Sequence, residues 1–334
     1  MNATTMDVAP SPVTLLRRSD VPHPERELRT KQLVVVGRGV YASAEEWRRL
    51  RPWERYLARV HAVALRLPDA VFVLESAAAL RRLPVFGEPT DVHIAALPGA
   101  TSRARSAVRV HTAQQLPSFD ETSGLLVATP AEIAVDIARS RHHAIGLAVA
   151  GSVLRAQEEL DAGTLHELNR TRPSSRGRRH ALWAIDRATG VPESTLELLS
   201  LAVIEWLGFP LPELQKWVLG ATPVDDYRLD FWWEATATGG EADGDSKVEG
   251  RDAVTVLRER RARDAELIAR GVCATAHWGW SDVTGVAPLR AALRAAGLRP
   301  ERPEDTAELR SFTRLLAQPS PALRSITPNF ARQQ

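Results

Sequence analysis

The stretch "YRLDFWW", residues 227–233, reads as an apolar strand carrying one carboxylate, Asp230, between Leu229 and Phe231. A lone carboxylate is costly to bury in such surroundings, so the fold must give it a cation, a partner or an edge position. More acid follows at once: "GGEADGDSK" brings Glu241, Asp243, Asp245 and Lys247 around an Asp-Gly turn signal. A calcium-binding EF-hand loop does not fit, because no Gly stands at the sixth place counted from Asp243.

The flanking segments suggest how these residues are presented. "PESTLELLSLAVIEWLGF" predicts a helix with Leu196, Leu199, Val203 and Leu207 on one stripe. Ser194 and Glu197 form a capping box at its start, which leaves Glu197 either a structural cap or a metal-facing acid. Gln215 to Leu219 predicts a strand antiparallel to "YRLDFWW". Beyond the turn, "DAVTVLRERRARDAELIARG" predicts a helix packed through Val254, Leu257, Leu267 and Ile268 and capped by Gly271. Its Arg258, Arg260, Arg261 and Arg263 either hold phosphates or pair with Glu259, Asp264 and Glu266 on a solvated face. In "CATAHWGWSD", Trp278 and Trp280 suit core packing better than base stacking, and His277 is a weak candidate for either role.

At 334 residues the chain exceeds the usual single core, so two or three domains are expected. Its 44% hydrophobic and 25% charged content is that of an ordinary globular protein, and a formal charge of only +2 argues little for nucleic acid by itself. A single cysteine, Cys273, excludes an internal disulfide and a Cys-rich zinc site. With no apolar run of transmembrane length and no signal-peptide pattern, the expectation is a cytoplasmic protein without a membrane partner.

Local charge is more telling. "NRTRPSSRGRRH" clusters Arg170, Arg172, Arg176, Arg178 and Arg179, which reads as a basic connector, either solvated or contacting phosphates. Near the N-terminus, "TLLRRS" and "PERELRTK" predict two short helices before "LVVVGRGVYA", a hairpin with Arg38 at its tip. That is the outline of a small winged helix. In the middle, "DVHIAAL" and "AVRVHTA" predict strands, and "GLLVATPAEIAVDIAR" a strand running into a helix that Thr129 caps and Pro130 opens. His142 and His143 are placed at a helix end favoured by the dipole.

The resulting division is 1–12 disordered, 13–45 winged-helix-like, 46–165 a mixed α/β domain and 166–190 a basic connector, followed by the acidic α/β domain over 191–286 and a helical tail over 287–334. The class is α+β multidomain.

An acid on one strand, a second on the adjacent strand and a nearby Lys is the arrangement of a PD-(D/E)XK phosphodiesterase core. There carboxylates hold Mg²⁺ or Mn²⁺ and the metal lowers the pKa of the attacking water. The order of "LVVVGRGVYA", "FVLESAAALRRLPV", "DVHIAAL", "VRVH" and "GLLVATPAEIAVDIAR" resembles the AbiEi-type antitoxins of actinobacteria, over roughly residues 14–286. The resemblance implies a degenerate N-terminal winged helix, a central α/β antitoxin-like domain and, in fused members, a restriction-endonuclease-like domain related to very-short-patch-repair enzymes. It implies DNA binding and autoregulation in the antitoxin branch; a further alternative is an antitoxin-like interaction protein whose partner is a nucleotidyltransferase toxin.

By that resemblance Glu197, Asp230, Glu241, Asp243 and Lys247 fall on the acidic and basic motif positions and Gln215 on the strand glutamine. Asp230, Glu241 and Asp243 are then the expected metal ligands, Lys247 the group supporting the attacking water, and Glu197 an orienting acid. The leading expectation is a Mg²⁺-dependent nuclease of the defence type, favoured by retention of every charged position. The alternative, a non-enzymatic DNA-binding regulator with a decayed nuclease fold, follows from two departures: "TATGG" leads into Glu241 where Val or Ile is usual, and Asp243 takes the place of the motif Lys. Glycines there are expected to loosen the strand that aims Glu241.

Overall fold

The computed structural model describes residues 7–96, 103–105, 107–112, 115–220, 226–243 and 253–316. The chain is an α+β protein that divides into two compact units, Met1–Asp186 and Arg187–Gln334.

Unit 1 opens with a small antiparallel sheet of β1 (Leu16–Arg17), β2 (Leu33–Gly37) and β3 (Val40–Ser43) in the order β1-β3-β2, with α1 (Pro24–Arg29) between β1 and β2. The helix expected at "TLLRRS" is therefore a strand followed by a 3-10 turn at Arg18–Asp20. Pairing of Leu16 with Tyr41 and of Arg17 with Val40 overrides the local helix preference. Val13, Val36, Val40, Ala42, Ala58 and Ala62 form the core beneath this sheet. Residues 7–12, expected to be disordered, are attached to the unit. Val8 and Ala9 are buried, the Ala9 amide donates to Leu80 O over 2.7 Å, and His61 Nε2 lies 2.8 Å from Ala9 O.

Pro52 starts a new helix rather than kinking one, separating α2 (Ala44–Arg49) from α3 (Pro52–Ala64). Then come β4 (Val71–Phe72), α4 (Leu74–Leu80), β5 (Val92–Ala95), β6 (Arg103–Arg105), β7 (Val108–His111), β8 (Phe119–Thr122) and β9 (Leu125–Ala128). These six strands make a mixed sheet in the order β6-β7-β5-β4-β9-β8. The unit closes with α5 (Pro130–Ser140), α6 (His143–Ala156), α7 (Ala162–Thr171) and α8 (Arg178–Arg187).

Thr129 occupies the N-cap of α5 but its side chain makes no cap bond. Glu132, one turn in, is buried, accepts the Ser118 amide over 3.0 Å and meets Arg172. His142 caps the start of α6 by accepting the Ala144 amide at Nδ1. The His pair thus sits at a helix N-terminus, where the dipole opposes a charged imidazole, contrary to the sequence expectation. The basic connector expected over 166–190 is largely built into the fold, as α7 and α8.

Unit 2 runs α9 (Thr195–Trp206), β10 (Glu213–Val218), β11 (Tyr227–Trp233), β12 (Thr238–Ala242), α10 (Ala253–Ala269), β13 (Ala274–Trp278), α11 (Trp280–Gly285), α12 (Ala287–Ala295) and α13 (Thr306–Leu316). The sheet order is β10-β11-β12-β13. Its first three strands form an antiparallel meander, and α10 crosses over to bring β13 parallel to β12.

The predicted stripe Leu196, Leu199, Val203 and Leu207 is buried on α9, as are Trp278 and Trp280. The sequence 287–334 carries two amphipathic patterns, which form α12 and α13; residues 317–334 lie outside the described residues. Leu289, Leu293, Leu309 and Phe312 are buried, and the Phe312 ring meets Trp206 with centroids 5.9 Å apart. The glycines of "TATGG" also differ from expectation. A Cβ on Gly240 would lie 2.6 Å from Trp278 Cη2 and 3.0 Å from Trp233 Cζ3, so glycine lets two indoles close over a strand that is paired on both sides. The strand that carries Glu241 is packed, not loosened.

Candidate functional site

The acids come together along one rung of the unit 2 sheet. The pairs Leu214↔Phe231 and Lys216↔Leu229 set Gln215 opposite Asp230. The β11–β12 ladder ends at Phe231↔Gly240, one residue short of Asp230 and Glu241, and Glu241 pairs directly with His277. Gln215, Asp230, Glu241 and His277 therefore lie at neighbouring positions on four adjacent strands.

Glu197 reaches this rung from the first turn of α9. Ser194 Oγ donates to its Oε1 over 2.7 Å, while its Oε2 accepts the Glu193 amide and Gln215 Nε2, each at 2.9 Å. Only half of the expected capping box forms: Ser194 Oγ accepts the Glu197 amide over 3.1 Å, but the Glu197 carboxylate takes the Glu193 amide rather than that of Ser194, which leaves it free to approach Gln215. Gln215 Nε2 also lies 3.4 Å from Asp230 Oδ1, which ties the two carboxylates to one amide. Gln215 holds this place with φ +55, in the left-handed region, a conformation that costs a non-glycine residue on the order of 1 kcal/mol. Its Oε1 is buried with no hydrogen-bond partner among the described residues. Asp230 Oδ2 accepts the Ala242 amide over 2.9 Å, which fixes β11 against β12 at the rung.

On the other side of the rung α10 supplies cations. Arg263 Nη2 donates to Glu241 Oε1 over 2.8 Å, and Arg260 Nη2 to Asp243 Oδ2 over 2.6 Å. His277 bridges Asp243 and Asp264, with Nδ1 3.3 Å from Asp243 Oδ2 and Nε2 2.9 Å from Asp264 Oδ1. The Arg263 guanidinium is also stacked 5.1 Å above the Tyr227 ring and donates to Arg228 O at 3.3 Å.

Electrostatics follow from this crowding. Burial, with Asp230 adding to it, pushes Glu197 up to about 7. Burial and Asp230 likewise push Glu241 up to about 7, against the pull of Arg263. Burial alone would lower His277, but its hydrogen bonds to Asp243 and Asp264 prevail and raise it.

Hard carboxylate oxygens are the donors that Mg²⁺ and Mn²⁺ take. Among the described residues, however, no group of three or more His, Cys, Asp or Glu side chains is placed to hold a metal ion. Two of the three expected ligands, Glu241 and Asp243, already carry a guanidinium. A divalent ion does not fit the arrangement as it stands. Lys247 lies outside the described residues.

The α10 arginines are where the sequence reading fell short. Pairing within the helix does not describe Arg260 and Arg263, whose partners are Asp243 and Glu241. The packing face was also misjudged: Leu267 is buried, but Val254, Leu257 and Ile268 are exposed. The signal lay in the helical spacing of Arg260, Arg263, Asp264 and Leu267, which puts them on one face.

The basic candidates of unit 1 separate by environment. Arg38 is exposed between β2 and β3, beside Gly39 with φ +71. Arg172 is half-buried and joins Glu132 and Asp136, which fastens the segment after α7 onto α5. Arg178 Nη2 donates to Arg172 O over 2.8 Å, and Arg170 pairs with Glu167 at the surface. Arg176 and Arg179 are exposed.

No helix among the described residues is long and apolar enough to cross a membrane. Searches of curated proteins and of solved structures each gave no match. The family model described as the AbiEi antitoxin C-terminal domain matches residues 73–182, from the approach to α4 into α8, so this part of unit 1 is AbiEi-antitoxin-like.

Proposed function

We propose that the protein is a cytoplasmic, DNA-associated regulator of the toxin–antitoxin type that acts by binding, and that unit 2 keeps the acids of a phosphodiesterase-type site in an arginine-neutralised form. The observation that carries this reading is the antitoxin-domain match over 73–182. The pairing of Arg263 with Glu241 and of Arg260 with Asp243 supports the non-cutting part.

The first sheet of unit 1 offers a hairpin with Arg38 exposed at its tip, which suits a wing on the phosphate backbone. Six-residue α1 is too short for the reading helix of a full helix-turn-helix, so phosphate contacts carry the affinity. A toxin is the protein partner of such a regulator. The test is retardation of duplex DNA in EDTA across a salt series, with Arg38→Ala beside the wild type. Binding that weakens with salt, with a slope reduced by about one in the variant, is the expected result. Absence of binding at low salt contradicts the proposal.

A second reading, a Mg²⁺-dependent nuclease with Asp230, Glu241 and Asp243 on metal, Lys247 supporting the attacking water and Glu197 orienting it, draws support from the meeting of Glu197, Gln215, Asp230 and Glu241 on adjacent elements. Metal-dependent cleavage decides between the two.

A further inference from the structure

We infer that the Arg263 guanidinium takes the counter-ion place at Glu241 that a divalent metal would hold in a PD-(D/E)XK arrangement, so that the rung is closed to Mg²⁺ and Mn²⁺ while Arg263 is present. The inference deepens the neutralised-site reading of unit 2 and rests on it.

Three observations carry it. The carboxylate that Arg263 meets is nearly sealed, with 5% of the Glu241 side chain exposed, so its counter-charge has to come from within the fold. Arg263 is held from several directions, by Glu241 at 2.8 Å, Arg228 O at 3.3 Å and the Tyr227 ring at 5.1 Å, so the guanidinium is a fixed part of the site. The arrangement repeats one residue pair along: Arg260, three positions before Arg263 on the same helix face, meets Asp243, two positions after Glu241.

A cation arriving at Glu241 would share its carboxylate with a guanidinium and suffer its repulsion. It would also find no set of three acidic or imidazole ligands gathered for it among the described residues. Replacing Arg263 by an uncharged side chain removes that repulsion and leaves Glu241, beside Asp230, in need of a positive charge.

The experiment is Mn²⁺ uptake by the full-length protein, followed by the loss of the free-ion electron paramagnetic resonance signal. The samples are wild type, Arg263→Gln, Arg263→Gln with Glu241→Gln, and Asp230→Asn. The wild type is expected to take up no stoichiometric Mn²⁺ at about 1 mM, well above the working range of tight oxygen sites. Arg263→Gln is expected to gain one ion with affinity improved by roughly tenfold or more, and the double variant to lose it again.

Stoichiometric uptake by the wild type that Asp230→Asn abolishes overturns the inference, whether or not the arginine variant folds. So does a folded Arg263→Gln protein, by circular dichroism, that gains no ion. Metal uptake is read without reference to DNA. Failure here leaves binding by unit 1 intact, and failure of DNA binding leaves the Arg263 assignment intact.

Discussion

Arg263 Nη2 stands 2.8 Å from Glu241 Oε1 and joins an arginine of α10 to a carboxylate on the central strand β12. The contact decides how the acidic rung behaves, because the partner acid is buried and faces Asp230. Breaking such a pair leaves a buried charge alone, which is more damaging than removing both members. Arg263→Met is therefore expected to lower the stability of unit 2 by about 2–3 kcal/mol, less than for a fully buried pair because the guanidinium is partly exposed. Adding Glu241→Gln should restore most of the loss. A double-mutant cycle on chemical denaturation measures the coupling, and strictly additive effects would contradict the pairing.

Gly240 tests the packing that aims Glu241. Alanine there places its Cβ against the Trp278 and Trp233 rings. Displacing rings from a filled core is expected to cost about 1–3 kcal/mol. The near-ultraviolet circular dichroism of the tryptophans should change with it. A neutral Gly240→Ala would show that the strand has slack.

The two units should respond to pH in opposite senses. Glu197 and Glu241 are pushed up to about 7 from an ordinary 4.5, so the folded unit 2 keeps protons that the unfolded chain releases. Their contribution is fully present below about pH 4.5 and is lost as pH rises to about 7. In unit 1, burial and the neighbouring His93 push His111 down to about 4 from 6.5, with the two rings joined by a 2.8 Å contact from His93 Nδ1 to His111 Nε2. That contribution is full above about pH 6.5 and falls away toward pH 4. Asp136, which burial pushes up to about 6, opposes His111 within unit 1, so calorimetry of the Asp136→Asn variant between these limits should show two transitions moving in opposite directions as pH changes. Glu197→Gln with Glu241→Gln should flatten the unit 2 trend, and parallel movement of both transitions would contradict the assignment.

The arginines of residues 170–179 should divide in the same way that their surroundings do. Arg172 joins Glu132 and Asp136, so Arg172→Ala is expected to destabilise unit 1 by about 2–4 kcal/mol through one buried and one half-buried carboxylate left without this cation. Arg176→Ala and Arg179→Ala, at exposed positions, should leave stability within about 0.5 kcal/mol of wild type. Thermal melts of the three variants check this, and equal losses would show that the run acts as one structural element.

Much of unit 2 was legible because its signals are local. An apolar strand with a single carboxylate, a capping box at Ser194 and Glu197, and an alternating β pattern suffice to place Glu197, Gln215, Asp230 and Glu241 on neighbouring elements. Other features depend on contacts distant in sequence. Leu16 and Arg17 form a strand only because β3 returns beside them. Residues 7–12 are ordered only because Leu80 and His61 receive Ala9. On α10 the helical period identifies two faces, but the buried one is charged and the exposed one carries Val254, Leu257 and Ile268, so hydrophobicity points the wrong way. Gly240 misled for a related reason: a glycine in a strand signals either weakness or close approach, and only the two tryptophans decide which.

The most direct test of the account incubates purified protein with plasmid, linear and single-stranded DNA and with RNA in Mg²⁺, Mn²⁺ or EDTA, beside Asp230→Ala and Glu241→Ala. The account predicts retention of DNA in every condition and in both variants, with no new ends produced in any lane. Metal-dependent cleavage by the wild type that disappears in both variants would contradict it and establish the rung as a working nuclease site.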